Sequence, residues 1–160
     1  IIRKEEPFSE WQIRNIHQLI LKNIDDDNAG RYRQQNVLIS GATSTPPDYT
    51  LLNDKMAQFV DWYNSEAHKL HPIERAAKVH ADFVGIHPFI DGNGRTSRLF
   101  MNLELLKAGY PPCVITVESR LAYYEALDQW MAYGKTDAFI HLVSDTVLAG
   151  FKPYQVVLGI

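Results

Sequence analysis

Apolar residues recur at helical spacing along most of the chain. Ser9 and Gln12 form a capping box, and Trp11, Ile13, Ile16, Leu19, Ile20 and Ile24 follow three to four positions apart. The spacing predicts a first helix closed by the acidic turn Asp25-Asp26-Asp27-Asn28. The rhythm returns from Leu51 to Ala67 with Leu52, Met56, Phe59, Val60 and Tyr63 on one face. Pro72 suits the first position of a third helix, which carries Ile73, Ala76, Ala77, Val79, His80, Phe83 and Val84. A fourth is predicted from about Asn93 to Ala108, stopped by Gly109 and Pro111-Pro112. Residues 119–132 and 136–149 predict two more, the last closed by Gly150. Between 34 and 50 the pattern changes. Val37-Leu38-Ile39 is short and β-rich, Gly41 is a turn residue, and Pro46-Pro47 forbids helix. An exposed extended or hairpin segment is expected there. The sum is an all-α domain with one irregular or β insertion.

The length, 160 residues, is that of one domain with a real core. With 46% apolar and 22% charged residues the composition is ordinary for a globular chain. A net charge of −3 supplies no basic field for nucleic acid. Cys113 is the only cysteine, so an intrachain disulfide is excluded, which fits a reducing, cytoplasmic setting. No apolar run nears the roughly 18 residues of a membrane span, and no signal peptide is visible. The chain opens on Ile1 rather than Met and ends in the apolar Val156-Val157-Leu158-Gly159-Ile160. The expectation is a fragment of a longer polypeptide.

Residues 87–98, His-Pro-Phe-Ile-Asp-Gly-Asn-Gly-Arg-Thr-Ser-Arg, carry the chemistry. Arg95 and Arg98 share a face in the first turn of the fourth helix. A helix N-terminus already holds about half a positive charge, and no acidic residue lies in that turn. The arrangement implies an anionic ligand. Gly92 and Gly94 let backbone amides approach phosphate oxygens, and arginine forks grip phosphate bidentately. Two arginines plus amides point to a polyphosphate such as a nucleotide. Asp91 is placed to hold Mg²⁺ with phosphate and water. His87, which Pro88 is expected to keep extended, has the side chain of a general base at neutral pH. Base, metal carboxylate and phosphate grip together imply attack of a hydroxyl on phosphorus. No P-loop motif occurs. His80, seven residues before His87, reads as a structural histidine, and Cys113 as an inert apolar residue.

His87 to Arg98 resembles the signature of the Fic family, His-Pro-Phe-x-(Asp/Glu)-Gly-Asn-Gly-Arg-x-x-Arg, at every fixed position. The likeness extends to Gly30-Arg31-Tyr32-Arg33, Leu70-His71-Pro72, Gly109-Tyr110-Pro111-Pro112 and Tyr123-Tyr124. It implies one Fic domain over 1–160, with a core of about 9–150. It also implies the Fic fold, a compact helical domain with a short β-hairpin flap over the active site. The implied activity is protein adenylyltransferase: AMP passes from ATP to a Ser, Thr or Tyr hydroxyl of a target protein, and pyrophosphate leaves. In that frame His87 is the base and Asp91 holds Mg²⁺. Gly92, Asn93 and Gly94 form the anion hole, and Arg95 and Arg98 grip the outer phosphates. Phe89 is buried and orients the loop. Tyr123 and Tyr124 line the adenine pocket. Val37, Leu38 and Ile39 form the flap edge that pairs with the target, and Arg31 and Arg33 brace the flap base. Relatives place an Asn after the tyrosine pair where this chain has Asp128-Gln129-Trp130-Met131. That leaves Gln129 as a weak candidate for the base contact.

Many Fic proteins carry an inhibitory Ser/Thr-x-x-x-Glu helix whose Glu pairs with the second motif arginine, here Arg98. No Ser or Thr of this chain has Glu four residues later. Inhibition is expected from a helix or domain outside this segment. Family members often form dimers, so a homodimer is a further expectation. Other readings on the same scaffold are phosphoryl transfer, which Gly94 disfavours, other nucleotidyl transfer, and a non-catalytic ATP-binding regulatory module.

Overall fold

A computed structural model describes residues 7–159, so Ile1 and Ile160 lie outside the described residues. Seven α-helices are present among the described residues: α1 (Glu10–Leu21), α2 (Leu52–Ser65), α3 (Pro72–Ile86), α4 (Asn93–Lys107), α5 (Arg120–Tyr133), α6 (Asp137–Gly150) and α7 (Lys152–Leu158). No strand occurs among the described residues. No helix among them is long and apolar enough to cross a membrane.

The local signals act as expected where their partners are near in sequence. Ser9 and Gln12 close a reciprocal capping box on α1. Pro72 opens α3. Gly109, at φ +83, ends α4, and the Tyr110 amide donates back to the Leu105 carbonyl at 2.9 Å. The buried stripe of α1, however, is Ile13, His17 and Leu21, joined by Gln12. Trp11 and Leu19 are about 70% exposed. The helix stops at Leu21, short of Ile24, because Asn23 turns left-handed and Asp25 and Asp26 accept from the amides of Asn28 and Asn23. Gly150 does not close α6. It lies inside the helix, where a Cβ would meet Pro111 at 3.2 Å, so its service is close approach. A short α7 with Pro153 in its first turn follows directly.

Helix α3 lies at the centre. One face packs with α1, α2 and α4 around Ile13, Phe59, Phe83, Phe89 and Phe100. The other packs with α4, α5 and α6 around Ala77, Ala81, Met101, Leu105, Phe139 and Val143. The α3–α4 pair therefore runs between two cores, and the loop joining them is fixed from both sides. Glu104 of α4 is buried and takes Arg75 at 2.8 Å, Lys107 at 2.9 Å and the Tyr63 hydroxyl. Glu104→Gln keeps the shape and loses the charge opposite Arg75. It is expected to cost about 1–3 kcal/mol in urea unfolding.

The expected β-hairpin is not formed. Residues 34–48 run as an irregular loop in which, among the described residues, the only backbone hydrogen bond between two loop residues is the Ala42 amide to the Ile39 carbonyl, at the turn. Pro46 and Pro47 remove two ladder donors. Side chains do the holding instead. Arg33 is buried and donates to the carbonyls of Gln35 and Pro47, at the two ends of the loop, at 2.9 and 2.6 Å. The Thr43 amide donates to Asp128 of α5 at 2.7 Å.

Candidate active site

The loop between α3 and α4 is built by its own sequence. His87 closes α3 in the left-handed conformation, φ 51 and ψ 58, with its amide donating to the Phe83 carbonyl at 3.0 Å. The expectation of extended backbone is thus corrected. Pro88 excludes the right-handed helical region for His87, and a left-handed cap meets that restriction while ending the helix. Phe89 is fully buried. The Asn93 side chain bridges its backbone: Oδ1 accepts from the Phe89 amide at 3.0 Å and Nδ2 donates to the Phe89 carbonyl at 2.8 Å. That side chain is committed to the loop, so Asn93 offers a ligand only its amide.

The His87 ring has one free nitrogen. Nδ1 lies 3.1 Å from the Val84 carbonyl. A carbonyl only accepts, so Nδ1 carries the proton and Nε2 keeps its lone pair. Burial lowers the pKa of His87 below its ordinary 6.5, against the Val84 carbonyl and with help from Arg33. The imidazole is therefore neutral at pH 7.

The two arginines differ. Arg95 is paired with Asp91 at 2.9 Å, so the expectation of two uncompensated cations is corrected. Asp91 lies just ahead of the helix and reaches back to it. Its other oxygen accepts from the Gly92 amide at 2.5 Å, so that amide is not free either. The amides of Asn93, Gly94 and Arg95 have no acceptor within the helix, by helix geometry. Arg98 forms no ion pair among the described residues. Its guanidinium lies 3.3 Å from where a Cβ on Gly94 would be, so a side chain there would displace it.

A cavity of about 370 Å³ brings together His87, Gly94 and Arg98, whereas Asp91, Gly92, Asn93 and Arg95 are not among its lining residues. His87, Gly94 and Arg98 form one side, Tyr123, Tyr124 and Leu127 of α5 another, and the turn Ile39–Ala42 the rim. Tyr123 is buried and Tyr124 half exposed, with ring centroids 5.2 Å apart. Asp128 also lines the cavity, whereas Gln129 faces a separate groove between α5 and α6. The sequence candidate for the base contact therefore points away from the site. In the 34–48 loop, Val37 and Ile39 are half-buried and Leu38 is 81% exposed. Arg33 joins this loop to the site by donating to the His87 carbonyl at 2.9 Å. Arg31 is exposed. Asp128→Ala is expected to speed amide hydrogen exchange at Thr43 while leaving exchange within α5 unchanged.

His80 is fully buried, with Nε2 2.8 Å from the Tyr123 hydroxyl. Burial pushes its pKa down to about 3. Below about pH 6.5 the unfolded chain takes up a proton that the folded state refuses. Stability is full above about 6.5 and is lost as pH falls toward 3. His80→Phe is expected to lose less stability than the parent between about pH 7 and pH 4.5 in urea unfolding. Cys113 is buried, which pushes its thiol pKa up to about 11 and leaves it inert.

No group of three or more His, Cys, Asp or Glu capable of holding a metal occurs among the described residues. An all-protein cage is therefore not what this site offers. One exposed carboxylate, Asp91, beside unpaired amides suits a magnesium ion shared with phosphate oxygens and water. Two residues and one contact that build the site are not signalled by any motif in the sequence: His17 beneath the loop, Asp128 at its rim, and the bond from Arg33 to the His87 carbonyl. His17 was detectable as a polar residue on the i, i+4, i+8 stripe of Ile13 and Leu21.

The model of the Fic/DOC family matches residues 7–105. The protein adenylyltransferase fic-1 of Caenorhabditis briggsae is 42% identical over 126 residues, covering 78% of this chain and 24% of its own length. The protein adenylyltransferase Fic of Nematostella vectensis is 42% identical over 145 residues, covering 90% and 33%. The chain thus spans about a quarter to a third of these curated relatives. The solved structure of Fic-1 from C. elegans superposes with a TM-score of 0.83 at 35% identity, over 95% of this chain and 44% of that one. The fold is also that of IbpAFic2, solved in complex with adenylylated Cdc42, at a TM-score of 0.70 and 21% identity over 92% of this chain and 50% of that one. With its motif loop, helical core and family match in agreement, the chain belongs to the Fic/DOC family.

Proposed function

We propose that this chain is one Fic domain that transfers AMP from ATP to a hydroxyl side chain of a target protein. The observation that carries this reading is the His87 ring. His87, whose Nε2 has no hydrogen-bond partner among the described residues, lines the cavity that Arg98 and an aromatic wall also line. The target oxygen bonds to the α-phosphorus as the bond from that phosphorus to the β-bridging oxygen breaks. Nε2 takes the hydroxyl proton, and pyrophosphate leaves. Arg98 and the amides of Asn93 and Gly94 hold phosphate oxygens and stabilise the developing charge. Asp91 would hold magnesium, which would supply neutralisation of phosphate charge. Arg95 reaches the phosphates by exchanging its Asp91 partner for them. Tyr124 and Leu127 face the adenine, and the Tyr123 ring backs them.

The target docks along Val37-Leu38-Ile39. Support comes from the backbone groups of Val37 and Leu38 and the Ile39 amide, which have no backbone partner among the described residues, and from the exposed Leu38. The curated relatives named adenylyltransferases support the reaction class. Arg98 is the point at which an inhibitory carboxylate from outside these 160 residues would act.

The test uses ATP labelled at the α- or the γ-phosphate, incubated with the protein and cell lysate. Protein labelled from the α position only is expected. Label from the γ position replaces AMP transfer with phosphoryl transfer, and no label from either overturns the reading. The rate is expected to rise with pH through a pKa below 6.5 and then to level off, because only the neutral ring accepts a proton.

A further inference from the structure

We infer that His17, on α1, is a positioning residue for this reaction: it fixes the peptide between Asp91 and Gly92, and through it the Asp91 carboxylate. The inference rests on the AMP-transfer reading above, in which that carboxylate holds magnesium.

His17 is fully buried and both of its ring nitrogens are engaged. The Gly30 amide donates to Nδ1 at 2.9 Å. An amide nitrogen only donates here, so Nδ1 holds the lone pair and Nε2 carries the proton. Nε2 lies 2.9 Å from the Asp91 carbonyl and donates to it. The ring lies flat on Phe89, with centroids 3.5 Å apart and planes 3° apart. Gly92 follows at φ +79, and a Cβ there would meet Nε2 at 3.0 Å. The imidazole therefore occupies the space a side chain at 92 would need.

The Asp91–Gly92 peptide is consequently held on both its polar atoms. Its carbonyl is taken by His17, and its amide hydrogen by Oδ1 of Asp91. The second carboxylate oxygen reaches Arg95. Rotation of this one peptide would swing the carboxylate and the first amides of α4 together. A residue present only for packing would need the stacked ring and neither nitrogen. His17 uses both, and it ties the loop after α1 to the motif loop 74 positions later.

The test separates packing from positioning. His17→Phe keeps a ring over Phe89 and loses both hydrogen bonds. His17→Gln offers one acceptor and one donor. ATP affinity of the whole chain is measured calorimetrically with magnesium and with EDTA, and amide exchange at Gly30 is followed without ligand. In His17→Phe the magnesium-dependent gain in ATP affinity is expected to shrink about tenfold, the scale of lost support around a metal ligand. Affinity in EDTA should hold, and Gly30 should exchange faster. His17→Gln should recover most of the gain. If His17→Phe keeps the full gain, or loses affinity in EDTA by the same factor, the ring is packing alone and the inference is wrong. Should His17→Phe fail to fold, His17→Asn, too short to reach both partners, is read in the same way. A parent chain without any magnesium-dependent gain overturns the nucleotide reading and this inference together. The other negative outcomes overturn the role of His17 only.

Discussion

His87→Ala is expected to slow transfer of the α-phosphate label by about 10²–10⁴-fold, the range of a lost general base, with ATP affinity retained. Among the described residues His87 is the one histidine lining the cavity, its Nδ1 is spent on Val84, and His80 is buried with its Nε2 on the Tyr123 hydroxyl. Arg98, Gly94 and the α5 wall stay in place, so the loss should fall on the rate at saturating ATP and leave the ATP concentration for half-maximal rate unchanged. The left-handed backbone at 87 adds a second effect. Alanine in that conformation costs about 1–2 kcal/mol, whereas asparagine tolerates it. His87→Asn is therefore the cleaner variant, and thermal melting of both should accompany the kinetics. Either variant transferring AMP at the parent rate would remove His87 from the mechanism.

Phe89→Ala is expected to destabilise the folded protein by about 3–5 kcal/mol, the range for a buried phenylalanine truncated to alanine. The ring is fully buried, stacked on His17 and in contact with Tyr32 and Phe83 at centroid distances of 5.4 and 6.2 Å. Three elements meet on it: α1, the loop after α1, and α3. The vacated space lies directly under the motif loop, so transfer should drop sharply even where the variant is still folded. Urea unfolding gives the stability, and the label assay at low temperature gives the activity. A loss below about 1 kcal/mol would mean that neighbouring side chains collapse into the gap. Phe89→Leu should cost markedly less.

The parts that were legible in the sequence are those whose cause is local. Ser9 with Gln12, Pro72 and Gly109 each mark a helix end through groups a few residues away. The amphipathic runs of α2, α3 and α4 follow from spacing. The motif at 87–98 was legible as chemistry because its residue types are rare in that order. The parts that were not legible depend on distant partners. The bonds from His17 to Asp91, Arg33 to His87 and Thr43 to Asp128 span 74, 54 and 85 positions. No periodicity encodes such distances. Trp11 and Leu19 misled because apolar character stood in for burial, while the buried stripe of α1 includes Gln12 and His17. The first turn of α4 holds no acid to pair with Arg95, and its partner Asp91 sits just before that turn.

Arg33 gives the loop at 34–48 a mechanical character. One planar side chain spans three carbonyls, at Gln35, Pro47 and His87, and its own amide donates to Pro88 at 2.9 Å. Both roots of the loop are thereby riveted to the backbone of His87. At the tip around Gly41 the tie to the helices is one carboxylate of α5, Asp128, which accepts from the Thr43 amide. A docked peptide would thus be registered against His87 through a rigid yoke, and adapting to different targets would fall to a few residues at the free end.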